Sequence, residues 1–106
     1  MYTIITSSYP SDKAKEVAEK YMEVLGKYPP NTSLTTEIIP AAVKRTEKGI
    51  KVITVGQVKP GKLEEALIYL ANANAMFNDI QGFEYSLDVY LSIEEGLATL
   101  GMRMPE

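Results

Sequence analysis

The 106-residue chain has no cysteine, no histidine and no tryptophan. Without cysteine, disulfides, thiolate nucleophiles and thiolate-held metals are excluded. Without histidine, so are histidine zinc sites, histidine-ligated haem and any Ser-His or Cys-His pair. No glycine-rich phosphate loop and no metal-ligand cluster is present, so the sequence asks for no metal and no cofactor. Cationic charge is short as well: 11 Lys and Arg against 14 Asp and Glu give a net charge of −3. With no surplus to neutralise phosphates, a nucleic-acid partner is not expected. Apolar runs last only a few residues, which excludes a membrane-spanning helix. The stretch Met1 to Thr6 lacks the basic segment and long apolar core of a signal peptide, which points to the cytoplasm. Asn31, Thr32 and Ser33 match a glycosylation sequon but then read as a loop.

What is present is an ordinary globular composition, 45% hydrophobic and 24% charged. One domain over residues 1–106 is expected, with a modest core that buries about two-thirds of the unfolded chain's surface.

The organising stretch runs from Gly49 to Ser92. Ile50, Val52 and Val58 alternate with Ile53 and Val55, so this strand is apolar on both faces and belongs inside a sheet covered on both sides. Pro60 and Gly61 end it, and Glu64 and Glu65 then favour the first turn of a helix. From Leu63 to Ile80 the helical period aligns Leu63, Ala66, Leu67, Leu70, Ala73, Phe77 and Ile80 in one stripe, with Glu64, Asn72 and Asp79 outside it. From Phe83 to Leu91 the period falls to two, with Phe83, Tyr85, Leu87, Val89 and Leu91 on one face.

Earlier in the chain, Tyr2 to Ser7 reads as another two-faced, central strand, with Ile4 and Ile5 on opposite sides. From Lys13, a helix carries Ala14, Val17, Ala18, Tyr21, Met22, Val24, Leu25 and Tyr28 on one half of its wheel and charges on the other, with Glu16 to Lys20 and Glu23 to Lys27 at favourable spacing. Gly26 and the Pro29, Pro30 pair stop it. Leu34 to Arg45 reads as a strand. It contains Pro40, which donates no ladder bond, so it belongs at an edge or a bulge. Thr46 to Gly49 form a tight hairpin with glycine at the positive-φ position. Ser92 and Glu95 have capping-box spacing before a short helix through Ile93, Leu97 and Leu100, which Gly101 ends. The order predicts an α+β, ferredoxin-like βαββαβ fold with a short C-terminal helix. Its four-stranded antiparallel sheet has strand order 4-1-3-2, with helices on one face.

The run Val58, Lys59, Pro60, Gly61, Lys62, Leu63, Glu64, Glu65, Ala66, a strand leaving through a Pro-Gly turn into an acidic-started helix, resembles the ferredoxin-like chains of the dimeric α+β barrel superfamily. The resemblance implies a homodimer with a cavity between sheet and helices. Members include small monooxygenases acting on aromatic compounds, haem-using enzymes and isomerases, so no single reaction is implied. The haem-using branches rely on a histidine and the cofactor-free oxygenases commonly place Trp and Asn near substrate; this chain has neither His nor Trp.

The candidate ligand-binding residues are Asn74, Thr54, Tyr85, Gln57 and Asn78. Asn74 sits on the wheel beside Leu63, Leu67 and Leu70, where an amide either bonds locally at the core's edge or meets a ligand. Asn78 lies further round. Thr54, Gln57, Tyr85 and Tyr90 sit on strands that border any cavity, and Gly56 leaves room for a close approach. Tyr85 shares its face with Phe83 and Leu87 and is expected in the core; Tyr90 shares its face with Glu84 and Asp88 and is expected against a partner sheet. Lys44, Arg45, Lys48 and Lys51 read as solvated edge charges that block unwanted pairing.

Helices on one face alone would leave Ile and Val of both central strands in water, which calls for a homodimer or higher homo-oligomer. Two functions remain. The first is an oligomeric binding or structural module, with a small apolar ligand if any, and it is favoured because the commonest catalytic groups are missing. The second is a cofactor-independent enzyme, monooxygenase-like or isomerase-like, acting on an apolar or aromatic compound. A cavity with Asn74, Thr54 or Tyr85 turned into it favours the enzyme; a filled core favours the module.

Overall fold

The computed structural model describes residues 1–105. Strand β1 (Tyr2–Tyr9) leads through a 3-10 turn (Ser11–Lys13) into α1 (Ala14–Lys27), followed by β2 (Thr35–Thr46), β3 (Gly49–Val58), α2 (Leu63–Ala75), β4 (Glu84–Tyr90) and α3 (Ile93–Ala98). The strands form one antiparallel sheet in the order 4-1-3-2, with β1 and β3 central. The two strands that are apolar on both faces thus occupy the middle. The proline strand lies at an edge, and its register slips between Glu37 and Ile39 and again between Ile39 and Ala42, around Pro40. A residue that cannot donate to the ladder is accommodated where the ladder is irregular.

Local signals set the ends of several elements. The β2–β3 hairpin turns through Glu47 and Lys48, and Gly49 takes φ 137°. A Cβ there would collide with the Tyr9 carbonyl, so Gly49 serves both the turn and a close backbone approach. Ser92 caps α3 with a reciprocal box: Glu95 N donates to Ser92 Oγ at 3.1 Å and Ser92 N to Glu95 Oε1 at 2.8 Å.

Some boundaries differ from the periodicity. β1 extends past Ser7 because Ser8 and Tyr9 still pair with Lys51 and Ile50. Helix α2 ends at Ala75, not Ile80. Beyond it the backbone tightens to three-residue bonds, Phe77 N to Asn74 O at 3.1 Å and Ile80 N to Phe77 O at 3.0 Å. Residues three apart eclipse in that geometry, which brings both Phe77 and Ile80 into the core at 7% and 3% exposure. Lys20 also departs from its expected helix partner: it reaches Asp79 at 3.1 Å, tying α1 to the turn after α2, and Glu23 at 3.7 Å.

Directly paired residues of antiparallel strands share a face, so the register divides the sheet. Thr3, Ile5, Ser7 and Tyr9 share one side with Gly56, Thr54, Val52 and Ile50 of β3 and with Val89, Leu87 and Tyr85 of β4. Both long helices lie on this side: Val17 and Val24 of α1 form a buried cluster with Ala73, Phe77 and Ile80, packed against Tyr9 and Phe83. The other side carries Tyr2, Ile4, Ile39, Ile53, Val55 and Tyr90. No helix of the buried cluster covers that side; Ile53 is 36% and Tyr90 54% exposed.

The shape is extended. The radius of gyration is 15.6 Å, against about 13 Å for a compact chain of 100 residues. The accessible surface is 7270 Å², whereas a monomer of this mass is expected to expose about 5,900 Å². Strand β2 is exposed from Thr36 to Thr46. Among the described residues no helix is long and apolar enough to cross a membrane.

Candidate functional site between helices and sheet

A sheet and the helices packed on it normally meet through large interdigitating side chains. Here the central rows of the covered face carry Thr3, Ser7, Thr54 and Gly56, and the facing stripe of α2 carries Ala66 and Ala73. Small residues on both layers leave the space unfilled. The result is a cavity of about 340 Å³. Its floor is Thr3, Ile5 and Ser7 of β1 with Val52, Thr54 and Gly56 of β3; its roof comes from Val17, Val24 and Leu25 of α1 and from Ala66, Leu70, Ala73 and Asn74 of α2.

Aromatic pairs close both ends. At one, Phe83 stacks on Phe77 at 4.6 Å and on Tyr9 at 5.9 Å between ring centres. At the other, Tyr28 and Tyr69 meet edge to face at 5.5 Å, and the Tyr69 hydroxyl donates to the Pro29 carbonyl. The lining residues that remain exposed are Ala18 and Tyr21 of α1, Pro29 and Pro30 in the loop after it, and Glu37, Pro40, Ala41 and Val43 of β2, so the mouth lies between α1 with its following loop and the irregular edge strand.

The polar groups are few. Thr3 is 2% exposed, and its hydroxyl donates to the Gly56 carbonyl across a long 3.5 Å. Asn74 is half-buried, and its Nδ2 donates to Leu70 O at 2.8 Å. A bond to a carbonyl identifies the amide nitrogen and leaves Oδ1 as an acceptor. Burial pushes the Tyr9 phenol above its ordinary value, an effect that the nearby Arg45 charge partly opposes. Burial, followed by the neighbouring Tyr28, raises Tyr69 as well. Both therefore remain neutral hydroxyls near pH 7, and neither is turned into a base.

Of the five residues expected to bind a ligand, the structure brings two together: Thr54 and Asn74 both line the cavity. Gln57 lies on the opposite, open face, exposed beside Tyr2 and Thr36. Asn78 falls beyond the end of α2 and is exposed, because the tighter turn after Ala75 shifts it off the helical stripe. Tyr85 faces the helix side but stands on edge strand β4, 36% exposed, neither in the core nor in the cavity lining. Gly56 is buried against Thr3 and Thr35, whose side chains a Cβ would approach to 3.2 and 3.6 Å. Glu84 and Asp88 lie on the open face, and among the described residues no three acidic groups gather as a metal site would require.

Sequence reasoning did not find Glu37, Thr3, Ser7 or the tyrosines Tyr9, Tyr21, Tyr28 and Tyr69 as lining residues. Alternation in phase with Thr35 and Val43 already puts Glu37 on the covered side; the bulge instead moves Ile39, which pairs with Val55, to the open side.

No family model, no curated protein and no solved structure matches the chain.

Proposed function

We propose that the chain is a cytoplasmic ferredoxin-like domain of the dimeric α+β barrel type, a homodimer or higher homo-oligomer that binds a small apolar compound between its helices and its sheet. The observation that carries this reading is the cavity itself. At about 340 Å³ it falls within the range of small-molecule sites, which are mostly apolar with a few placed polar groups. Association through the open sheet face is supported by two quantities. One is the total surface of 7270 Å², roughly 1,400 Å² above the expectation for a monomer, which includes the exposed strand β2 as well as the open face. The other is the exposure of Ile39, Ile53 and Tyr90.

The test of binding is a titration with 1-naphthylmethanol, a neutral aromatic compound, followed by amide NMR shifts. Movement confined to Thr3, Thr54, Asn74 and their neighbours supports the reading. Movement only at open-face residues such as Gln57 and Lys51, or none, would sink it.

A second reading, a cofactor-independent enzyme of the monooxygenase or isomerase kind acting on an apolar or aromatic compound, is favoured by one observation: Thr54 and Asn74 share the cavity. Against it stands the upward shift of Tyr9 and Tyr69, which leaves neither poised for proton transfer near neutral pH. Conversion of a bound compound by the purified chain, abolished in Asn74→Leu, would establish it; recovery of the compound unchanged returns the function to binding alone.

A further inference from the structure

The cavity's charge is one-sided. Among its lining residues the single ionised side chain is the Glu37 carboxylate, and neither lysine nor arginine contributes. The remaining groups reinforce that sign. Asn74, with its nitrogen engaged by Leu70 O, offers an oxygen acceptor. Four tyrosines, Tyr9, Tyr21, Tyr28 and Tyr69, line it as well, with Lys27 Nζ already 5.8 Å from the Tyr28 ring centre. Glu37 is exposed at the mouth while the interior is apolar. A ligand carrying its charge at one end can therefore bury its body and keep its head hydrated beside the carboxylate, avoiding the desolvation cost of a fully buried ion.

On the premise that the cavity binds a small molecule, we propose that the site selects amphiphilic ammonium compounds, an apolar or aromatic body with a cationic head, and discriminates against carboxylates of the same shape. An anion of that shape would set its charge beside Glu37 with no cation in the lining to offset it. A neutral analogue would lose the ion pair that Glu37 gives the cation and keep at most a single hydrogen bond to the carboxylate.

The experiment compares 1-naphthylmethylamine, 1-naphthylmethanol and 1-naphthoate, which share one ring system and differ in charge. Affinities are measured by NMR titration at pH 7 on the intact chain and on Glu37→Gln, an exposed and near-isosteric change. In the native chain the amine is expected to bind about three- to fivefold tighter than the alcohol, the scale of a solvent-accessible ion pair, and the naphthoate more weakly than either. In Glu37→Gln the amine's advantage over the alcohol should disappear, and in the native chain 0.5 M salt should shrink it. If the alcohol binds but the amine gains nothing, or keeps its gain in Glu37→Gln, the charge selectivity is overturned and the binding site stands. If none of the three binds, the binding site is overturned, and the selectivity falls with it.

Discussion

The two faces of the sheet differ in what covers them. In the central strands the face under the helices interleaves the large Ile5, Tyr9, Ile50 and Val52 with the small Thr3, Ser7, Thr54 and Gly56, while the open face carries Tyr2, Ile4, Ile53 and Val55 beside Gln57 and Lys51. Both faces are thus apolar in part, but only one has the long helices over it. Small residues under a roof leave space for a guest. Large apolar residues without a roof call for one from outside the chain, and the two faces accordingly divide binding from assembly in the proposed function.

The largest effect should come from breaking the open face. Ile53→Asp, which sets a carboxylate on the face proposed for assembly, is expected to weaken self-association by about 100-fold or more while circular dichroism stays native. Light scattering over a dilution series reads it. A native chain that remains monomeric throughout that series would remove the assembly role and leave the open face without an account.

Filling the covered face comes next. Thr54→Leu places extra carbons in the cavity, and 1-naphthylmethanol affinity should drop about tenfold. The melting temperature should hold or rise by a few degrees, since filling a void regains roughly 1 kcal/mol. A fall in melting temperature instead would mean that the layers are already closely packed there and that the contrast between the faces is overstated.

A subtler probe is Asn74→Leu. Its local bond to Leu70 O adds little on a helix that already pairs that carbonyl, so stability should change by less than about 1 kcal/mol. If Asn74 orients a ligand, the variant remains folded and oligomeric but binds several-fold more weakly. Full retention of binding in a thermal-shift titration strikes Asn74 from the site.

The smallest effect lies outside both faces, at the cap of α3. The N-terminal ammonium, and after it the Ser92 backbone N–H, lower the Glu95 carboxyl to about 2. Because the folded value lies below the unfolded one, the contribution is fully present above the ordinary carboxylate value, about 4.5, and is lost as pH falls toward 2. The group is solvent-exposed, so the effect is slight. Acid titration of native chain and Glu95→Gln should show a small stability gap at pH 6 that closes by pH 2. A gap unchanged at pH 2 would assign it to the capping hydrogen bonds, independent of charge.

Where the sequence was legible, the reason was local. The β-branched alternation of Ile50 to Val58, Pro40 on an edge, glycine at position 49 and the Ser92–Glu95 box each express a constraint within a few residues, and each element appears where expected. The candidate site was only partly legible. Asn74 was found because the wheel places it on the apolar stripe, and Thr54 because it sits on a central strand. Gln57 and Tyr85 were grouped with Thr54 only as strand residues, yet neither reaches the cavity: Gln57 is one residue out of phase, and Tyr85 lies at an edge.

The order of the elements, the choice of central strands, the hairpin and the caps were determined by the sequence by itself, because propensity, period and turn chemistry act over a few residues. Only the tertiary structure decided which face of the sheet the helices cover. Two strands apolar on both sides carry no local mark of inside and outside. The same holds for the register slip around Pro40 that turns Ile39 to the open face, and for the early end of α2 at Ala75. The cavity is the furthest from any local signal, since it is a shortfall of side-chain volume summed over two layers: Thr3 and Thr54 become its floor only where Ala66 and Ala73 lie across from them.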